Sequence, residues 1–335
     1  MYCFAIMMPE SKMILMNKKI NAWEILTPND TVDIVAPASA STEEKIYHGL
    51  TWLKNIGLVP QYPSNMIQTD LYFAAPLEQQ WEHFKKALYS DAKVIWCLRG
   101  GYGSMRLIPL LEKLTPPKTP KLLIGFSDIT ALHIFFNQKW NWPTLHARTI
   151  SQLHPDWELT EEHQSLVDLL FGRINEINFK NLTPLNQAAQ DVKTLEGTVI
   201  GGNLRLIQTS LGTSWEIKPK GKIVFIEDVS ERGYSVDRML EQLHQAQILD
   251  KGIKALLIGD FTEGLEKNGQ NLVTSALKRF ADRVDYPVIT GLPCGHAKDN
   301  NAPLPFNTEA KLILGQVCQL TCKVNNNLQS TNSTF

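Results

Sequence analysis

Residues 121–136 read KLLIGFSDITALHIFF. An apolar run stops at Gly125, Ser127 comes two residues later, and the spacing of an amphipathic helix starts at once. The pattern predicts a buried strand, a tight turn and a helix in quick succession. Ser127 then has two readings. Ser and Asp are favoured helix N-caps, so Ser127 or Asp128 could simply close the helix end. A serine on the sharp turn between a strand and a helix is also where a nucleophile sits in α/β-hydrolases. The segment departs from the G-x-S-x-G form, because Ile129 stands where the second glycine would be.

The same alternation extends to both sides. TVDIVAPAS (31–39) reads as a buried strand ending in a Pro-containing turn, and 41–57 has helical spacing with a Gly stop. LVPQYP (58–63) gives a short strand, and 75–90 a helix with Trp81, Phe84 and Leu88 on one side. KVIWCLRGGYGS (93–104) is a strand running into glycines, with Ser104 as N-cap of the next helix. The order βαβαβαβα favours a mostly parallel sheet covered by helices. Periodicity weakens over 171–193. The expected organisation is an extension over 1–22, an N-terminal α/β domain over 23–175 carrying Ser127, and a linker over 176–193. A C-terminal α/β domain over 194–323 and a polar tail over 324–335 complete it. Near the end, AKLILG (310–315) and VCQLTCKV (317–324) predict a closing hairpin with Gly315 in the turn.

The totals agree with a two-domain globular protein: 335 residues, 43% apolar and 20% charged. A net charge of −1 argues against a nucleic-acid surface. No run approaches the ~18 apolar residues of a membrane span, and the N-terminus lacks the pattern of a secretory signal. Met16 is an alternative natural start to Met1, since the patterned sequence begins near Trp23. The five cysteines are odd in number and widely spaced, which does not suggest a disulfide framework. Cys318 and Cys322 would share one face of a strand as buried hydrophobes.

Ligands of parallel α/β sheets bind beyond the carboxyl ends of the strands. Those ends carry Arg99-Gly100-Gly101-Tyr102-Gly103, Ser127-Asp128, Gly201-Gly202-Asn203, Glu227-Asp228 and, after 286–290, Gly291 to His296. A serine nucleophile needs a histidine to take its proton and a carboxylate to fix the histidine tautomer. Ser127, an acid of the Glu227-Asp228 pair and His296 supply these in chain order. Singly, each has an ordinary reading: a cap, a solvated strand end, a hydrogen-bonded loop histidine. Their coincidence at strand ends favours catalysis. The glycines at 100, 101 and 103 match neither G-x-G-x-x-G nor a P-loop. They suit close approach of backbone N–H groups to an oxyanion, with the Asp128 N–H as a second donor. There is no H-E-x-x-H and the eight histidines are scattered, so no metal or other cofactor is expected. His133 and His146 read as packing residues.

Five motifs carry a resemblance: CLRGGYGSMRLIPLL (97–111), IGFSDITALH (124–133), GGNLRLI (201–207), VFIEDVSERGYSVDRML (224–240) and VITGLPCGH (288–296). In this order, and together with ILTPNDTVDIVAPAS (25–39), they resemble the LD-carboxypeptidase family of serine peptidases, S66 type. The resemblance implies a flavodoxin-like parallel-sheet N-terminal domain and a smaller α/β C-terminal domain, with the site at their junction. It implies a triad of Ser127, Glu227 and His296, with Gly101 and Asp128 as oxyanion donors. Arg99, Gly100, Tyr102 and Asn203 would lie near substrate. It also implies a homodimer. TLHARTISQL (144–153) departs, since Ala147-Arg148 stands where many members carry Gly-Pro. Arg148 joins Arg99 as a candidate partner of a substrate carboxylate.

The expected function is a cytoplasmic carboxypeptidase that releases terminal D-Ala from murein tetrapeptides in cell-wall recycling. Its partner is the muropeptide, not nucleic acid or membrane. One alternative is a relative of microcin immunity proteins that hydrolyses a peptide–nucleotide antibiotic, with Trp140, Trp142 and Trp157 available for a nucleobase. Another is a non-catalytic muropeptide-binding protein.

Overall fold

The computed structural model describes residues 23–157, 161–298 and 301–324. The expectations for the extension over 1–22 and for the tail from 325 lie outside these residues.

The chain opens with β1 (Thr31–Val35), α1 (Glu43–Asn55), β2 (Val59–Gln61), α2 (Leu77–Leu88) and β3 (Val94–Cys97). Next come α3 (Ile108–Leu111), β4 (Leu122–Gly125), α4 (Thr130–Phe135), β5 (Thr144–His146) and α5 (Glu161–Leu170). β1, β3 and β4 are buried nearly throughout, as strands covered on both faces must be. All five strands run parallel in the order β2-β1-β3-β4-β5, the flavodoxin-like arrangement. Its switch point lies between β1 and β3, where connections diverge to opposite sides and leave a crevice.

The second half contains β6 (Glu176–Pro184), α6 (Gln187–Gln190), β7 (Thr194–Gly197), β8 (Val199–Asn203), α7 (Leu204–Thr209) and β9 (Ile223–Val229). It continues with α8 (Gly233–Gln245), β10 (Ala255–Thr262), α9 (Val273–Ala281), β11 (Val288–Thr290), β12 (Leu304–Phe306), β13 (Ala310–Ile313) and β14 (Cys318–Lys323). Its eight-stranded sheet has the order β7-β13-β14-β6-β11-β10-β9-β8, parallel from β8 to β11 and antiparallel beyond. The predicted hairpin is β13–β14, and Cys318 and Cys322 are both buried on it.

Two features correct the expected boundaries. Residues 176–193 are not a linker, because β6 is a nine-residue strand in the middle of the second sheet. The second half also lends the first a strand: β12 pairs antiparallel with β5 and closes the edge of the first sheet. Phe306 of β12 is buried in one apolar cluster with Leu145 and Phe225, so a single core bridges the two sheets. On the other side, Ile134 of α4 shares a cluster with Val224 and Ile226 of β9.

Candidate active site

The strand–turn–helix at 122–135 answers the first question raised by the sequence. Neither Ser127 nor Asp128 caps α4, since no side-chain capping bond closes that end. Ser127 instead has φ 63°, the left-handed region that disfavours any residue bearing a Cβ. A serine stays there only where its surroundings hold it. The Asp128 carboxylate turns away from the cavity and accepts from the Ser104 backbone N–H at 2.8 Å, while Ser104 Oγ donates to the Asp128 carbonyl at 2.7 Å. These two bonds lock the serine turn to the glycine loop after β3. Burial raises the Asp128 carboxyl pKa, against the lowering effect of N–H donors from Ser104 and Gly103. Ser104, expected as an N-cap, therefore acts as this bolt.

The glycine loop passes directly beside Ser127. A Cβ on Gly100 would lie 2.9 Å from Ser127 Cβ and 3.2 Å from its Oγ, so only glycine fits without displacement. The Gly100 carbonyl accepts from Ser39 N–H at 3.1 Å, and Tyr102 N–H donates to Ser39 Oγ at 3.1 Å, which pins the loop to the turn after β1.

From the second sheet, the loop after β11 delivers His296. Its Nδ1 lies 2.6 Å from Glu227 Oε2, and Glu227 is fully buried. Glu227 lies within β9, two residues before its end, and not beyond the strand as expected. Gly295 at φ 140° lets the chain press against this carboxylate, since a Cβ there would sit 3.2 Å from Glu227 Oε2. Burial works against the imidazolium form, but the charge and hydrogen bond of Glu227 prevail and hold the His296 pKa above its ordinary value. Asp260, two residues before the end of β10, is a second carboxyl beside the pair. Burial and the neighbouring Glu227 push its pKa up to about 6. Asp228 is driven to about 7 by the same two causes.

Ser127, His296, Arg99, Gly100 and Gly101 all line one cavity of ≈ 310 Å³ at the switch point. Phe126 packs on the His296 ring at 4.7 Å and forms part of the wall. Three expected substrate contacts are elsewhere. Asn203 is buried, donates to Asp228 Oδ1 at 2.8 Å and caps α7, so its amide is engaged in holding β8 to β9. Arg148 is buried and donates to the Lys298 carbonyl at 2.7 Å. Tyr102 is half-exposed and packs its ring on Phe73 and Tyr72 outside the cavity. Trp142 stacks on Phe136 in the core and Trp140 meets both rings edge-on, so neither faces the cavity.

The sequence reading missed Ser41 and Lys45 at the start of α1, and Thr149, Ser151 and Gln152 after β5. One signal was legible: Thr149 and Gln152 form a capping box, a T-x-x-Q pattern. Lys45 carries no local signal. Among the described residues no group of acids, histidines and cysteines is placed to hold a metal ion.

Family models of the LD-carboxypeptidase N-terminal domain and C-terminal domain match residues 32–147 and 196–312. The chain belongs to the LD-carboxypeptidase family of S66 serine peptidases. It is 37% identical over 300 residues to a Rickettsia conorii protein named as a carboxypeptidase, covering 88% of this chain and 92% of that one. It is 30% identical to the murein tetrapeptide carboxypeptidase of Pseudomonas aeruginosa, covering 84% and 92%. The crystal structure of muramoyltetrapeptide carboxypeptidase from Oxalobacter formigenes superposes with a TM-score of 0.75 at 29% identity, covering 88% and 98%.

Proposed function

We propose that this protein cleaves the L,D peptide bond of murein tetrapeptides and releases the terminal D-alanine for cell-wall recycling. The observation that carries the reading is the 2.6 Å His296–Glu227 pair facing the same cavity as a serine at φ 63°. His296 Nδ1–H donates to Glu227, which leaves Nε2 to take the Ser127 proton. Ser127 Oγ attacks the carbonyl carbon of the bond before D-alanine. The oxyanion is held by the N–H groups of Gly101 and Asp128, each worth about 3 kcal/mol in the transition state. His296 then protonates the departing amine, the C–N bond breaks, and water deprotonated by His296 resolves the acyl-enzyme.

Arg99 takes the terminal carboxylate of the substrate. One of its N–H groups is fixed on the Ala40 carbonyl at 2.6 Å, which orients the rest of the planar fork. The buried thiols of Cys97, Cys318 and Cys322 fit a reducing, cytoplasmic compartment. No helix of the described residues is long and apolar enough to cross a membrane. We take the active form to be a homodimer, which light scattering tests.

The deciding experiment measures D-alanine released from the diaminopimelate tetrapeptide by wild type and by Ser127→Ala. Release by wild type alone is the expected result. Equal release by both sinks Ser127. No release by wild type, with turnover of an aminoacyl-sulfamoyl adenylate instead, would transfer the reading to the antibiotic-hydrolysing branch. Failure of an active-site fluorophosphonate to label Ser127, with no turnover of either compound, would favour a binding protein.

A further inference from the structure

We propose that Lys45 forms a second anion subsite facing Arg99, which takes a carboxylate on the acyl side of the scissile bond and makes the enzyme selective for acidic peptides. This rests on the reading of Ser127 and Arg99 given above.

The cavity wall carries two cations, Lys45 and Arg99, besides His296, and no carboxylate. The whole chain has a net charge of −1, so the cavity reverses the sign of the molecule. Among the described residues neither cation is held in an ion pair: every ion pair found there joins other groups. Lys45 sits in the first turn of α1, a helix of 13 residues capped by Thr42. That turn presents the positive end of the helix dipole, and Ser41 beside it also lines the cavity. Glu43 and Glu44 share the turn but are not part of the cavity wall. The Gln152 side-chain NH2 and the Ser151 hydroxyl add donors that can share a carboxylate with an ammonium, while the Thr149 hydroxyl is spent on Gln152 Oε1.

The chemistry of the substrate separates the roles of the two cations. A terminal carboxylate is separated from the scissile carbonyl carbon by only the amide nitrogen and one Cα. Its partner must therefore adjoin the nucleophile, as Arg99 does next to Gly100. D-Alanine has no other carboxylate. A second anion bound at Lys45 must then belong to the acyl portion, which in a murein peptide offers the free carboxylates of glutamate and diaminopimelate. An ammonium-only side chain at the third position would meet two like charges.

The test reads binding and does not require turnover. Ser127→Ala is titrated by calorimetry with the diaminopimelate tetrapeptide and with two versions, each carrying one acyl-side carboxylate as the carboxamide. At least one amidation should weaken binding about tenfold, equal to ~1.4 kcal/mol. In Ser127→Ala/Lys45→Met that penalty should fall below about twofold, and Lys45→Arg should restore it, as a charge contact predicts. Lys45 is exposed, so its replacement leaves no buried hole. An undiminished penalty in the Lys45→Met background, no penalty from either amidation, or no peptide binding at all would each overturn the subsite. D-Alanine release by wild type, measured alongside, separates that failure from failure of the activity itself.

Discussion

Gly100→Ala tests whether the glycine loop and Ser127 are one machine. Gly100 lies outside the left-handed region, so alanine meets no backbone objection. The difficulty is the added methyl, 2.9 Å from Ser127 Cβ. Carbon atoms pack at about 3.5 Å or more, so something must move by ~0.6 Å. The loop is tied to Ser39 and, through Ser104, to Asp128. Ser127 is fixed in a left-handed turn whose first closed bond runs from Ile129 N–H to the Phe126 carbonyl. Whichever side yields, Ser127 Oγ shifts relative to the Gly101 N–H. A misplacement of about 1 Å costs roughly a hundredfold in rate, so kcat should fall roughly ten- to a hundredfold. Overpacking of this size costs ~1–2 kcal/mol of stability, partly offset by the smaller entropy of the unfolded alanine chain. The assay is D-alanine release across substrate concentration, beside a thermal melt. A kcat within twofold of wild type would refute the reasoning, as would a rise in KM alone.

Three further outcomes follow from the same geometry. The kcat/KM of the enzyme should rise with pH as His296 loses its proton, with a midpoint above the ordinary histidine value, since Glu227 favours the charged ring over the penalty of burial. Asp260→Asn removes a nearby negative charge and should move that midpoint to lower pH; an unmoved midpoint would show that Asp260 does not sense the ring. His133 is buried, with its pKa lowered to about 4, and His146 is held well below the ordinary range by burial. The unfolded chain protonates both near pH 6.5, so their contribution to stability is full above that pH and is lost as pH falls. His133 alone should account for about 3 kcal/mol by pH 4, and a urea series for His133→Gln should show a shallower loss between pH 6.5 and 4. Asn186 donates to the carbonyls of Ala281 and Tyr286 and accepts from the N–H groups of Ala189 and Val288. Asn186→Ala leaves the Ala281 and Tyr286 carbonyls and the Val288 N–H without this partner, while Ala189 N–H keeps the Asn186 carbonyl; it should cost about 3 kcal/mol in urea unfolding, and a loss under ~1 kcal/mol would refute this.

The chain's own pattern determined the parallel core. β1, β3 and β4 are short apolar runs bounded by turn residues, and α1 and α2 repeat apolar residues at helical spacing, so each declares itself locally. Ser127 and His296 were legible because both follow strands, where the loops of such sheets converge. β6 was not legible, and the reason is physical. Its inward residues are Ile177, Phe179 and Leu182, spaced by two and then by three. Opposite β14 the register shifts, and Asn181 takes φ 59°, so an extra residue on β6 reverses the alternation halfway along. The resemblance placed Asn203 near substrate; its buried amide instead donates to Asp228 and caps α7. What only the tertiary structure decided is which side chains share the cavity. Lys45, Arg99, Ser127, Gln152 and His296 come from five separate segments of the chain. Their meeting depends on strand order and on the packing of one sheet against the other, quantities that no local window of sequence contains.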